Sequence, residues 1–281
     1  MKLNINIINS LRKFLIFFGL RFFLEKNIKY YGWGLSSSCY PPWDGYSKNK
    51  TSQEFKMAND RLVEKIKNNK FFLSQFSHDS TKSSKEILEI VNELKYRHYV
   101  VYYSALLAYE NTKSRNIAEC GVCDGLTVFF AINKFIEDKN LKIFLYDSWS
   151  AMRADELLGV EEIRNVGSYN YLNVENTKTN LIDFKDNTYF NKGFIPEVFK
   201  NSINPEKISW LHIDLNSSFP TKKTLDFFYT RLERNGVILF DDYAWPGYER
   251  TRETIENFFL DKNIIFLQFM TGQAMITKLE N

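Results

Sequence analysis

Several residue types are scarce in this chain, and each scarcity removes a class of function. There are three cysteines, Cys39, Cys120 and Cys123, an odd number in 281 residues. That count excludes a disulfide framework and fits a reducing cytoplasm. The three histidines, His78, His98 and His212, all lie away from the Cys120–Cys123 pair, which leaves a zinc site short of ligands. Charge of one sign is missing as well. Lys and Arg number 37 against 34 Asp and Glu, a net charge of +3, with the signs mixed and no basic stripe. Nucleic acid is therefore excluded as a partner. The apolar run Phe14–Leu20 falls far short of the roughly 20 residues that span a bilayer, so no transmembrane segment is expected. It is interrupted at Arg21 and followed by no small-residue cleavage site, which argues against a signal peptide.

Aromatic residues are plentiful, with 25 Phe and 16 Tyr, enough to fill a core without disulfides. The length allows one large domain, or one domain with a substantial appendage. At the N-terminal end Ile8, Leu11, Leu15, Phe18 and Phe22 recur at helical spacing. This amphipathic helix packs on its own domain or on a sister subunit of a homodimer; peripheral contact with a membrane surface is the other reading. Residues 28–50 read as a loop-rich connector, with Gly32, Gly34, Pro41, Pro42 and Gly45, and a helix follows from Glu54 to Asn68. Ser77–Ser84 is a polar break. Residues 1–80 are thus expected to form a helical and loop-rich extension, a lid or dimer element, ahead of a main domain over 81–281. Ser83 and Glu86 form a capping box for a helix that carries Ile87, Ile90, Val91 and Leu94 and runs on to about Glu110.

Beyond that point strands and helices alternate. Strands are expected at Asn116–Glu119, Lys142–Tyr146, Thr188–Asn191, Ile208–Ile213 and Gly236–Phe240, with helices at Leu126–Ile136, Thr221–Leu232 and Glu249–Phe259. Ile264–Phe269 and Ala274–Leu279 read as a terminal hairpin. The pattern predicts an α/β fold: a Rossmann-like, doubly wound, mostly parallel sheet with a C-terminal antiparallel hairpin. In such sheets ligands bind beyond the carboxyl ends of the strands, where the strand order reverses.

The strand ends therefore carry the candidate residues. The first strand runs into Glu119-Cys120-Gly121-Val122-Cys123-Asp124-Gly125, a glycine turn that lacks the G-x-G-x-x-G of dinucleotide enzymes. Gly121 allows a tight turn and close approach of a ligand, and Gly125 lets the following helix start close against the sheet. The second strand ends at Asp147-Ser148, where a carboxylate can take both ribose hydroxyls of an adenosine, or where both residues simply cap a helix. Asp214 ends the fourth strand, and Asp241 and Asp242 the fifth. Three carboxylates at one sheet edge repel unless a divalent cation, a substrate hydroxyl or a raised pKa offsets them. His212 alternates with Asp214 and is either an active-site group or a hydrogen-bonded core histidine.

Glu119-Cys-Gly-Val-x-x-Gly125, Tyr146-Asp147-Ser148, His212-Ile-Asp214-Leu-Asn216 and Asp241-Asp242-Tyr243, with Trp245-Pro-Gly-Tyr248 behind, resemble the macrocin O-methyltransferase-like family. The resemblance runs from about Tyr96 to Lys278 and takes in Thr271-Gly272-Gln273. It implies a class I methyltransferase that uses S-adenosylmethionine, often with Mg²⁺, to O-methylate a sugar hydroxyl on a small-molecule or glycan acceptor. On this reading Glu119, Gly121, Val122, Gly125, Asp147 and Ser148 bind cofactor. Asp214, Asp242 and His212 supply catalysis, and Asp214, Asp241 and Asp242 hold the metal. The chain departs from the family's Asp-x-Asp-x-x-Glu after the fourth strand, having Asn216 and Phe219 at the second and third of these positions. It also has Ala244-Trp245 where some members carry a basic histidine. Trp33, Tyr40, Trp43 and Tyr46 are candidates for aromatic faces of a lid. Two rivals come from other classes: a Cys-x-x-Cys redox protein built on Cys120 and Cys123, and a catalytically degenerate protein that binds cofactor or a partner.

Overall fold

A computed structural model describes residues 21–23, 34–36, 52–74, 84–154 and 166–281. The chain divides into two compact units, residues 1–50 and 51–281. In the first, strand β1 (Arg21–Phe23) pairs antiparallel with β2 (Gly34–Ser36), setting Phe22 opposite Leu35. Phe22 is therefore in a strand and not on the helical stripe expected from spacing. The rest of that stripe, Cys39, the Ser83 end of the capping box, and Trp33, Tyr40, Trp43 and Tyr46 lie outside the described residues.

The second unit opens with helix α1 (Gln53–Lys67), capped by Ser52, whose hydroxyl accepts from the Phe55 amide at 3.2 Å. Phe55, Ala58, Leu62 and Ile66 form its buried stripe and join the main hydrophobic core. Phe55 stacks on Phe130 at 5.4 Å, and Arg61 reaches Asn133 Oδ1 at 2.8 Å. These contacts put α1 with the large unit, although the sequence grouped it with the extension. Helices α2 (Ser84–Glu93) and α3 (Lys95–Asn111) follow, broken at Leu94. On α3 His98 is buried and stacks on Phe130 at 4.5 Å.

The sheet contains β3 (Asn116–Cys120), β4 (Lys142–Asp147), β5 (Thr188–Lys192), β6 (Ile208–Ile213), β7 (Leu232–Phe240), β8 (Ile264–Gln268) and β9 (Ala274–Lys278). Their order is β5-β4-β3-β6-β7-β9-β8. The first five are parallel, and β9 runs antiparallel to both β7 and β8. The expected doubly wound sheet with its terminal hairpin is therefore present. Every residue of β6 is buried, as a parallel strand covered on both faces requires. Side chains alternate between two cores. Ile117, Ile143, Trp210 and Val237 pack toward α3 and helix α4 (Leu126–Ile132). Phe144, Tyr146, Leu211 and Phe240 pack toward helices α7 (Ser218–Phe228) and α8 (Glu249–Phe259).

Two short helices complete the unit, α5 (Val174–Asn180) and α6 (Glu197–Lys200). Helix α7 starts three residues earlier than its apolar pattern suggested. Strand β7 reaches back to Leu232 through a register shift opposite Ile208–Trp210. Among the described residues no helix is long and apolar enough to cross a membrane.

Candidate active site at the carboxyl ends of the sheet

Strand order reverses between β3 and β6, so the ligand crevice of this architecture opens where Gly121 and Asp214 meet. The two strands continue to pair there, the Asp214 amide donating to Cys120 O at 2.9 Å. Gly121 has φ +84°, and a Cβ on it would lie 1.7 Å from the Asp214 carbonyl oxygen. Glycine is thus demanded by the neighbouring strand itself. Gly125 (φ +82°) precedes α4, and its closest neighbours are Thr177 and Leu181 of the α5 region, 3.1–3.2 Å from a built Cβ. It tightens that helix-to-helix contact and does not line the crevice.

Asp147 braces the glycine turn. Its Oδ2 accepts from the amides of Val122 (2.7 Å) and Cys123 (2.9 Å), and its Oδ1 from the Trp149 amide (2.7 Å). Burial raises its pKa while these amides oppose the rise. A carboxylate offers about four acceptor sites; three are used, which leaves room for one hydroxyl where the sequence suggested two. The Trp149 indole in turn donates to Thr177 Oγ1 at 2.9 Å, tying the turn to α5.

Two adjoining clefts share Gly121, Cys123 and Asp214. The first, open to solvent, is lined by Asp147, Ser148, Met152, Tyr169, Leu172, Gly193, Phe194 and Ile195. The second lies on the α3 side, with Arg97, Val122, Asp124, Asp241 and Gln273. Gly121, Val122, Asp147 and Ser148 are thus brought together at the crevice.

Glu119 is not. It is 0 % exposed, as is His212, and its Oε1 lies 2.7 Å from His212 Nδ1. Neither residue lines these two clefts; they lie opposite each other on the paired strands β3 and β6. Glu119 is therefore the buried partner of His212. Burial lowers the His212 pKa to about 4 and raises that of Glu119.

The three strand-end acids do converge. Asp214, Asp241 and Asp242 present oxygens within 4.8 Å of one another. Asp241 forms an ion pair through Oδ2 with Arg97 and accepts at Oδ1 from Gln273 Nε2 at 3.0 Å. Asp242 Oδ2 accepts from the Asn216 amide at 2.9 Å, and its carboxyl hydrogen-bonds that of Asp214. Burial, then the Asp214 charge, pushes Asp242 up to about 8. Asn216 Oδ1 is taken by the Tyr248 hydroxyl at 2.7 Å, and its Nδ2 points to the Tyr169 hydroxyl at 3.3 Å.

Mg²⁺ demands near-octahedral oxygen ligation. Each Asp241 oxygen and Asn216 Oδ1 already holds a donor, and the Arg97 guanidinium puts a fixed positive charge against the cluster where the cation would sit. As arranged, these residues do not fit the ion.

NovP, described as an O-methyltransferase, aligns with a TM-score of 0.54 at 16% identity, over 66% of this chain and 80% of NovP. CalS11, a calicheamicin methyltransferase, aligns with a TM-score of 0.50 at 14% identity, over 85% of this chain and 99% of CalS11. The fold is that of class I methyltransferases. No protein-family model and no curated protein matches the chain in sequence.

Within this methyltransferase fold, Cys120 and Cys123 are free thiols, and burial pushes both well up, which opposes the thiolate a redox motif needs. Arg97 and Tyr169 line the clefts without any signal in the sequence, since nothing in an isolated helix or loop says which strand end it meets. Gln273 did carry one, in Thr271-Gly272-Gln273. That turn docks on the loop after β7 through Gly272 O, which accepts from the Ala244 amide at 2.8 Å.

Proposed function

We propose that the chain is an S-adenosylmethionine-dependent O-methyltransferase acting on a hydroxyl of a sugar or glycan, in the cytoplasm. One observation carries the reading. Asp214, whose carboxyl is coupled to that of Asp242, lines the same cleft as Gly121 and Asp147, so a proton acceptor adjoins the candidate cofactor cleft.

On this reading the cleft takes the adenosyl group. Phe194, Ile195, Leu172 and Met152 offer an apolar slot for a base, and Asp147 keeps one acceptor site for a ribose hydroxyl. Gly121 adds no side chain of its own where the first cleft meets the second. When bound, S-adenosylmethionine supplies an already activated methyl group. What remains for the protein is alignment, worth on the order of 7–11 kcal/mol, and removal of the hydroxyl proton, worth roughly 10²–10⁴-fold. Asp214 and Asp242, which share a hydrogen bond, take that proton in the absence of the family's histidine. Tyr169, on the rim of the first cleft, offers a hydroxyl and a ring face to a sugar.

The degenerate reading is favoured by one feature, the loss of an acid at Phe219 and of the histidine at Ala244-Trp245. Titration calorimetry with S-adenosylmethionine and S-adenosylhomocysteine, followed by labelled-methyl transfer to sugar nucleotides and oligosaccharides, separates the two. Binding with transfer supports the enzyme. Binding without transfer to any hydroxyl acceptor favours the degenerate protein. No binding of either nucleoside refutes the enzyme and the cofactor-binding form of the degenerate protein.

A further inference from the structure

Arg97 belongs to none of the strand-end motifs, yet α3 delivers its guanidinium to the centre of the acid cluster. It pairs with Asp241 and lies over the Trp245 ring, 5.5 Å from the centroid. The pocket is built to hold it: Gln273, itself fully buried, occupies the other Asp241 oxygen at 3.0 Å, and Asp241 is 5% exposed. A guanidinium stays charged at every accessible pH and offers several N–H donors in a plane. A divalent ion bridging Asp214, Asp241 and Asp242, whose oxygens lie within 4.8 Å of one another, would have to sit against that fixed positive charge.

We infer that Arg97 takes the place of a divalent cation at the three-carboxylate cluster, so that this site is held together by a side chain and binds no metal. The inference stands on charge and geometry alone and does not depend on what the crevices bind. Arg97 is a positioning residue in this account: it fixes Asp241 and, through the shared cluster, the Asp214–Asp242 pair.

The test is Mn²⁺ titration, read by electron paramagnetic resonance, on the full chain stripped with chelator. The wild type is expected to show no stoichiometric site up to millimolar Mn²⁺. Arg97→Met keeps the length of the side chain and removes the charge. It is expected to bind one Mn²⁺ on the order of 100-fold more tightly than the wild type, because it leaves a buried carboxylate uncompensated. Mn²⁺ should also raise the melting temperature of Arg97→Met and leave that of the wild type unchanged. Stoichiometric micromolar binding by the wild type, lost in Asp242→Asn, overturns the inference and requires no Arg97 variant. A folded Arg97→Met that gains no site overturns it as well.

Discussion

Gly121 offers the sharpest check on the strand-end geometry, because its replacement can be costed against an internal control. Alanine at 121 must adopt φ +84°, a left-handed conformation that costs a residue with a Cβ about 1–2 kcal/mol. It must also clear a backbone oxygen 1.7 Å away. A carbonyl in a buried ladder cannot rotate aside as a side chain would, so β6 has to retreat. Retreat strains the 2.9 Å bond from the Asp214 amide to Cys120 O, worth about 0.5–1.5 kcal/mol. Local overpacking adds about 1–3 kcal/mol. Gly167 has a similar φ, +77°, but nothing within 4 Å of a built Cβ, so Gly167→Ala carries the conformational cost alone. Gly121→Ala should therefore lose about 3–6 kcal/mol and Gly167→Ala about 1–2. For a unit of this size that is a melting-temperature drop near 10–20 °C against about 5 °C. Thermal and urea unfolding of both variants in one buffer measure the difference. Equal destabilisation would show that Gly121 is not pressed against β6 and would undo the crevice as described.

Three other expectations rest on the same residues. Asp147→Asn keeps one acceptor oxygen where three amides now bind, and turns an amide N–H toward donors; it should lose about 1.5–3 kcal/mol of stability and at least about tenfold in S-adenosylhomocysteine affinity. Melts and calorimetry check this, and a variant unchanged in both removes Asp147 from the turn and from the ligand. Asp242 has its pKa raised to about 8 in the folded chain, so between about pH 4 and 8 the folded state holds a proton that the unfolded state has released. Its contribution to stability therefore falls as pH rises through that window. Urea melts of Asp242→Asn should show a flatter pH slope, and methyl transfer by the wild type should climb toward a limb near pH 8 and be lost in the variant. Cys123 lines both clefts, and its thiol is pushed up by burial, then by Asp124 and Asp147. Its alkylation should be slow at neutral pH and slower with S-adenosylhomocysteine bound; ligand-independent labelling, read by mass spectrometry, would move the ligand elsewhere.

What the sequence disclosed tracks what local pattern can encode. Ile208–Ile213 reads as a strand from its mostly apolar run ending at Asp214, and Glu249–Phe259 as a helix; both match the structure to the residue. The strand-end position of Asp147, Asp214, Asp241 and Asp242 followed from the alternation alone. Partnership did not. Glu119 sits two positions before Gly121, and strand alternation does not reveal that β6 sets His212 directly opposite it. The tight turn expected at Gly121 is there, at φ +84°, and the structure adds a second reason for glycine that local pattern does not encode, the Asp214 carbonyl oxygen where a Cβ would stand. Arg97 stayed invisible because a long cation on a helix ordinarily reads as a solvated face. Phe22 was misassigned because a heptad-like stripe and a short strand share apolar residues at that spacing.

The buried pair explains how so many acids coexist at this sheet edge. Burial favours the neutral forms of both His212 and Glu119, and the 2.7 Å contact lets one proton serve the two. With that proton on Glu119, the imidazole turns an Nε2–H toward Asp241 Oδ1, 3.8 Å away. Asp241 then faces a donor on the core side, the Gln273 amide beside it and the Arg97 guanidinium toward the cleft. Its charge is answered without a free ion. Asp214 and Asp242 answer each other through a shared hydrogen bond, which leaves a single exchangeable proton on the side of the cluster that faces the crevice. The strand-end acids and the buried pair behind them thus form two layers. A neutral couple and a fixed ion pair hold the frame, and one carboxyl pair is left to move a proton.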